Sequence, residues 1–205
     1  VWDGGSQTVT VRSSKLNLTA KVGQLYLVAN GRYLYIPEGV QLVNGRVTVP
    51  LSVLTEAFDA SLTWNAATGV VAVTRGSGAL TPADQYYNQD DLFWLCRIIY
   101  AESGNQPLEG MMAVGNVVLN RVNDPIYPNT IVGVLAQKNQ FTTYQSGKLA
   151  YRTPNENSVI AAKLVLDGGV VEETKGATHF DSCSNSWASR HKTCVAVIGG
   201  HRFYA

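Results

Sequence analysis

Cysteine is scarce, with three in 205 residues. So sparse and odd a set excludes a small disulfide-stapled scaffold. Charge is scarce as well. Asp, Glu, Lys and Arg make up 15% of the chain, and 16 basic against 15 acidic side chains leave a net charge of +1. Such a balance excludes a broad basic field for nucleic acid. Long apolar runs are missing: the longest, Leu92 to Ala101, is broken by Arg97 and falls short of the roughly 18 residues that mark a membrane span. The sequence opens on Val1 rather than Met, without a basic-plus-apolar leader, as expected of a trimmed or mature exported form. What is present is ordinary apolar content (45%), with 19 Gly and 10 Tyr. This composition excludes disorder, coiled coil and collagen, and the length allows one domain or two.

The pattern changes along the chain. Residues 1–76 carry short alternating runs: Thr8–Val11, Leu16–Thr19, Leu25–Val28, Tyr33–Ile36 and Val47–Val49. Asn30-Gly31 between two of them predicts a hairpin. Pro50 opens a predicted helix through Phe58, and Leu62–Trp64 with Val70–Thr74 predict a closing hairpin. Gly76-Ser77-Gly78 and the polar stretch after it predict a linker over 77–89. From residue 90 the period turns helical. Asp90 or Asp91 is expected to cap the first helix, Pro107 to open the second, Asn129-Thr130 a shorter third, and Asn155 a fourth ending at Gly168-Gly169. Extended pieces over 177–181 and 195–198 flank a turn or helix near Trp187. The expected architecture is two domains: a small, mostly-β domain with one helix, then an α-rich α+β domain over 90–205. Residues 1–78 carry six basic and four acidic side chains, the remainder ten and eleven, in keeping with that division.

Glu102 stands out on physical grounds. Leu92, Leu95, Ile99 and Glu102 share one helical face that is apolar until its last member, and Ser103-Gly104-Asn105 ends the helix there. A carboxyl at the mouth of an apolar stripe is partly desolvated. Desolvation raises its pKa, which suits a general acid near neutral pH. The alternative is a solvated residue at a fraying helix end.

A resemblance joins these residues to others. Tyr100-Ala101-Glu102, Glu109-Gly110, Ala113-Val114, Val118 to Val122, Pro128 to Ile131, Gln140-Phe141, Thr178-His179-Phe180 and Ile198 to Tyr204 resemble, in order and spacing, the catalytic domain of bacterial cell wall hydrolases of the spore cortex-lytic type. The resemblance implies a broadly lysozyme-like fold and an exported enzyme, acting at the cell wall or spore envelope. It implies cleavage of peptidoglycan or spore cortex glycan between N-acetylmuramic acid and N-acetylglucosamine, typically as a lytic transglycosylase without metal or cofactor. It makes Glu102 the catalytic acid. Two departures are visible: Asn105-Gln106 stands where many members have Gly-Glu, and Asp181-Ser182-Cys183 where many have Tyr-Asn-Pro. Residues 9–74 resemble the copper amine oxidase N-terminal-like domain, which implies a stalk for wall anchoring or self-association. Histidine is absent there, so copper chemistry is not implied.

Two-carboxylate hydrolysis needs a partner for Glu102, and the candidates, Glu109 and Asp181, have weak claims. A transglycosylase needs only one acid/base, because the muramoyl C6 hydroxyl attacks within the same molecule. For substrate binding the candidates are Gln140, Arg121, Asn120, His179 and His201. Tyr144, Tyr151, Trp187 and Tyr204 are candidates for stacking on sugar faces. Each has a structural alternative in helix capping, loop anchoring or the core. His179, Cys183, His191 and Cys194 have spacing compatible with zinc, but Cys183 and Cys194 equally suit a disulfide or free thiols. Two other function classes stay open: a Cys96/His179 peptidase acting on wall peptides, and a catalytically dead wall-binding protein.

Overall fold

The structure, a computed structural model, describes residues 1–205. The chain divides into two compact units, Val1–Tyr86 and Tyr87–Ala205.

The first unit is built on an antiparallel meander of strands β1 (Trp2–Asp3), β2 (Thr8–Arg12), β3 (Asn17–Lys21), β4 (Tyr26–Ala29) and β5 (Arg32–Tyr35), in that spatial order. Alternation sets its inner face: Leu18 lies opposite Ala29, Ala20 opposite Leu27, and Leu27 opposite Leu34, all buried. The turn at Asn30-Gly31 has φ of 50° and 80°, the left-handed pair that a tight hairpin requires. Helix α1 (Leu51–Ala57) follows Pro50 and adds Ala57 to the core. Two further hairpins, β6 (Gln41–Val43) with β7 (Arg46–Thr48) and β8 (Ser61–Asn65) with β9 (Val70–Thr74), stand apart from the five-stranded sheet.

The predicted linker is not one at its start. Leu80 belongs to the core of the first unit, Gly78 N donates to Phe58 O at 3.2 Å, and Leu80 N donates to Ala57 O at 3.2 Å. A short helix α2 (Ala83–Tyr86) follows, and Ala83 N donates to Asn30 O at 3.0 Å. Gly76 owes its identity to close packing rather than flexibility: a Cβ there would lie 1.5 Å from Asp59 O. Tyr87 and Asn88 already belong to the second unit.

That unit packs helices α3 (Gln89–Ser103), α4 (Leu108–Asn123) and α7 (Glu156–Leu166) against one another. Asn88 caps α3, accepting from Asp90 N and Asp91 N, so the cap precedes the two aspartates expected to supply it. Pro107, Thr130 and Asn155 stand at the expected helix starts. Every residue from Gly110 to Val118 is buried, which makes α4 the central helix. Gly115 allows close approach, since a Cβ would lie 3.0 Å from both Ile99 and Val165. Shorter helices α5 (Ile131–Ala136) and α6 (Thr142–Gln145) precede α7, and α8 (Trp187–His191) follows it. Strands β10 (His179–Asp181), β11 (Cys194–Ile198) and β12 (His201–Tyr204) form an antiparallel sheet with β12 central.

Candidate active site

Glu102 occupies the last turn of α3, whose face Leu95, Ile98 and Ile99 bury in the helical core. Ser103 closes the helix by returning its hydroxyl to Ile99 O at 2.8 Å. Asn155 Nδ2 fastens the following loop by donating to Gly104 O at 2.9 Å. Burial pushes the Glu102 carboxyl pKa up. Arg152 and the Thr143 hydroxyl pull the other way, and no second carboxylate is among the groups that act on it. Arg152 follows the one-turn helix Leu149–Tyr151, in which Leu149 is buried and Tyr151 is 90% exposed. Thr143 lies on α6, beside Tyr144, whose ring packs edge-on against Trp94 of α3 at 5.1 Å. A partly dry carboxyl with a cation and a hydroxyl nearby can give a proton and take one back.

The loop after Glu102 is tied to the sheet. Gln106 Oε1 accepts from Gly200 N at 2.7 Å, and a Cβ on Gly199 would lie 2.3 Å from that same oxygen. Gln106, one of the two departures from the family pattern, thus holds the Ile198-Gly199-Gly200-His201 turn.

Several residues expected at the substrate make framework contacts. Asn120 Nδ2 donates to Ala177 O at 2.8 Å. Arg121 is 4% exposed, donates through Nε to Thr178 O at 2.7 Å and through Nη1 to Gln140 Oε1 at 2.9 Å, and lies near the rings of Tyr127 and Phe141. Both side chains join α4 to the strand leading into β10. A family motif alone does not separate that task from chemistry. Gln140 is exposed, with its carbonyl occupied by Arg121. Tyr204 is 1% exposed, too buried to stack on a sugar, and its hydroxyl donates to Asp181 Oδ1 at 3.3 Å. Asp181 also accepts from Ser186 Oγ. His201 is 8% exposed among the rings of Phe180 and Phe203, with burial lowering its pKa.

His179 meets Thr178 Oγ1 at 3.0 Å and the Trp187 ring at 5.5 Å. Burial, with Arg121 and Lys192 nearby, lowers its pKa to about 4. It is therefore neutral at ordinary pH. Tyr144 is half-buried, and Trp187 is exposed while stacking on His191 at 4.9 Å. The Cys96/His179 dyad finds no support. The Cys96 thiol is buried, bonds to Phe93 O at 3.4 Å, and has its pKa raised by burial, which makes it a poor nucleophile. Cys183 and Cys194 are exposed free thiols.

Arg152 and Thr143 escaped the sequence reading. Thr143 lies on a four-residue helix and Arg152 just after a one-turn helix, both too short for a period to mark a face, and only the fold brings them to Glu102.

Residues 105–204, beginning just after Glu102, match the family model described as Cell Wall Hydrolase. The catalytic domain of the germination-specific lytic transglycosylase SleB from Bacillus anthracis is 31% identical, with a TM-score of 0.52 over 61% of this chain and 100% of that one. The chain belongs to the cell wall hydrolase family. The catalytic domain of the Bacillus cereus SleB protein is 30% identical, with a TM-score of 0.53 over 63% of this chain and 100% of that one. The spore cortex-lytic enzyme of Bacillus cereus is 41% identical over 121 residues, which are 57% of this chain and 45% of that protein. That of Bacillus subtilis is 36% identical over 118 residues, 57% of this chain and 38% of that protein. This family member thus spans less than half of the curated relatives it matches. Its residues 1–73 match a second model, the copper amine oxidase N-terminal domain.

Proposed function

We propose that this cell wall hydrolase cleaves the glycan strand of peptidoglycan between N-acetylmuramic acid and N-acetylglucosamine as a lytic transglycosylase, with Glu102 as its single acid/base. The carrying observation is the partly desolvated Glu102 carboxyl at the end of a buried helix face, with Arg152 and the Thr143 hydroxyl acting on it. Glu102 protonates the glycosidic oxygen as the bond to C1 breaks. The C6 hydroxyl of the same muramoyl residue then bonds to C1 and gives its proton back to Glu102. The product is a 1,6-anhydromuramoyl end, and no water is consumed. Intramolecular attack gives the nucleophile a high effective concentration.

Tyr151, 90% exposed one position before Arg152, offers an aromatic face to a sugar at this site. The relatives' names favour spore cortex as the substrate and germination as the occasion. Such a substrate requires export. The N-terminal unit, with Trp64 60% and Val70 55% exposed, would hold the enzyme at the wall or to a second copy.

The test is mass spectrometry of fragments released from purified vegetative peptidoglycan and from spore cortex by the wild type and Glu102→Gln. Muramoyl ends lighter by one water, absent with the variant, are expected. Reducing ends of full mass would mean hydrolysis, and undiminished activity in the variant would remove Glu102 from the chemistry. Co-sedimentation of the full chain and a Trp64→Ser variant with insoluble peptidoglycan, beside their masses in solution, separates wall binding from self-association.

A further inference from the structure

The Thr143 hydroxyl oxygen is buried and has no hydrogen-bond partner within ordinary distance. Buried polar atoms are rarely left so, because each loses its hydration without a replacement. The side chain is nevertheless held firmly. Phe141 before it is buried, Tyr144 after it packs on Trp94 at 5.1 Å, and Gln145 Nε2 donates to Gln137 O at 2.6 Å. As a β-branched residue, Thr143 also has few rotamers to choose from. The ionisable group that this hydroxyl acts on is Glu102, at the end of the helix that α6 packs against. Arg152 acts on the same carboxyl. The elements packed on α3 also carry Glu109 and Arg121 (α4), Glu156 and Lys163 (α7), Tyr144 (α6) and Tyr151, and none of these is among the groups acting on Glu102.

We infer that Thr143 is a positioning residue for Glu102, donating its hydroxyl hydrogen to the carboxylate in the half of the cycle when that group is a base. The inference rests on the acid/base role proposed above. In the first half the Glu102 proton goes to the leaving oxygen as the C1–O bond breaks, and a carboxylate remains. In the second half the C6 oxygen bonds to C1 and its proton returns to the carboxylate. The negative charge exists only between these events. A neutral hydroxyl fixed beside it stabilises that charge when it forms and adds no permanent charge.

The experiment is an NMR titration of the full chain labelled with 13C at glutamate carboxyls, using wild type, Thr143→Val and Thr143→Ser, with Glu102→Gln assigning the signal. Thr143→Val is expected to move the Glu102 midpoint up by about one pH unit, a tenfold change in its acid constant. Thr143→Ser should restore it. On purified peptidoglycan the alkaline limb of the pH–rate profile should move up by the same amount in Thr143→Val. At the pH optimum kcat should fall about tenfold while KM holds. Thr143→Ala gives the same reading if the valine methyl crowds the site. An unmoved midpoint in folded variants overturns the inference, as does a fall in kcat with the limb in place. The titration needs no turnover, whereas anhydro ends from the wild type test the acid/base role. A shifted midpoint without such ends would strike down that role and leave the hydrogen bond standing.

Discussion

Trp64 and Val70 in the N-terminal unit are 60% and 55% exposed, whereas Arg121 and His201 in the C-terminal unit are 4% and 8% exposed. The first unit exposes the larger share of its big apolar side chains and the second buries more polar ones, although Tyr151 and Val197 of the second are exposed and Arg32 of the first is buried. The first is a small meander whose core needs few side chains, and its β8–β9 hairpin covers little beyond itself. A groove of about 480 Å³ beside α1, lined by Leu51, Leu54, Phe58 and Val73 among others, continues that apolar surface. The second unit uses its inward polar groups as ties across long stretches of chain: Asn116 to Gly169, Asn120 to Ala177 and Arg121 to Thr178. Surfaces of the first kind serve contact. Frameworks of the second kind hold a reactive group still.

The largest expected effect breaks the first unit by itself. Gly76→Val drives a side chain into Asp59 O and should cost more than about 4 kcal/mol. Calorimetry should then show the transition of the N-terminal unit lost while that of the hydrolase unit stays. Next is the opposite unit. Arg121→Ala removes a buried tie and opens a cavity, costing about 3–5 kcal/mol in denaturant unfolding, whereas Gln140→Ala, at an exposed position, should cost under about 1 kcal/mol. Equal losses from the two would mean that Arg121 serves substrate rather than framework. Tyr151→Ala should leave stability within about 0.5 kcal/mol and raise KM about tenfold with kcat little changed; Tyr151→Phe should behave as wild type.

Two pH effects are smaller. His179 has its folded pKa lowered to about 4, so the stability of keeping it neutral is present above its ordinary value near 6.5 and is lost as pH falls through about 4. With partial solvent screening this is about 1–2 kcal/mol, read as a fall in Tm that His179→Phe should blunt. Glu102 runs in the other direction. Its folded pKa is raised, so folding favours its acid form, and the ionised form costs stability as pH rises above the ordinary carboxylate range. Glu102→Gln should therefore raise Tm at pH 8 by about 2–4 °C and not at pH 4.

Much of the first unit could be read in advance because its rules are local. Asn30-Gly31 needs only the twist of the flanking strands, and Pro50 needs only the first turn of a helix. The same holds for the caps at Thr130 and Asn155. Gly76-Ser77-Gly78 misled because a glycine demanded by a distant carbonyl looks, in sequence, like one that supplies freedom. At the candidate site, the partly buried place of Glu102 at a helix end was legible from a helical period interrupted by a carboxylate. Arg121, Asn120 and Tyr204 stood out by motif, but their framework contacts did not, since a motif does not tell the two kinds of residue apart. Thr143 and Arg152 left no trace, because their neighbours are separated from Glu102 by 40 residues or more of chain.

The hydrogen bond from Gly200 to Gln106 spans 94 residues. Closing so large a loop carries an entropic cost that local helix and hairpin formation does not. Contacts within helices and hairpins close short stretches of chain, so the clamp on the loop that follows Glu102 is among the entropically costlier contacts of the unit. Phe203 and Tyr204, buried in the core, share that cost. The order of the candidate site thus depends on joining distant parts of the hydrolase unit.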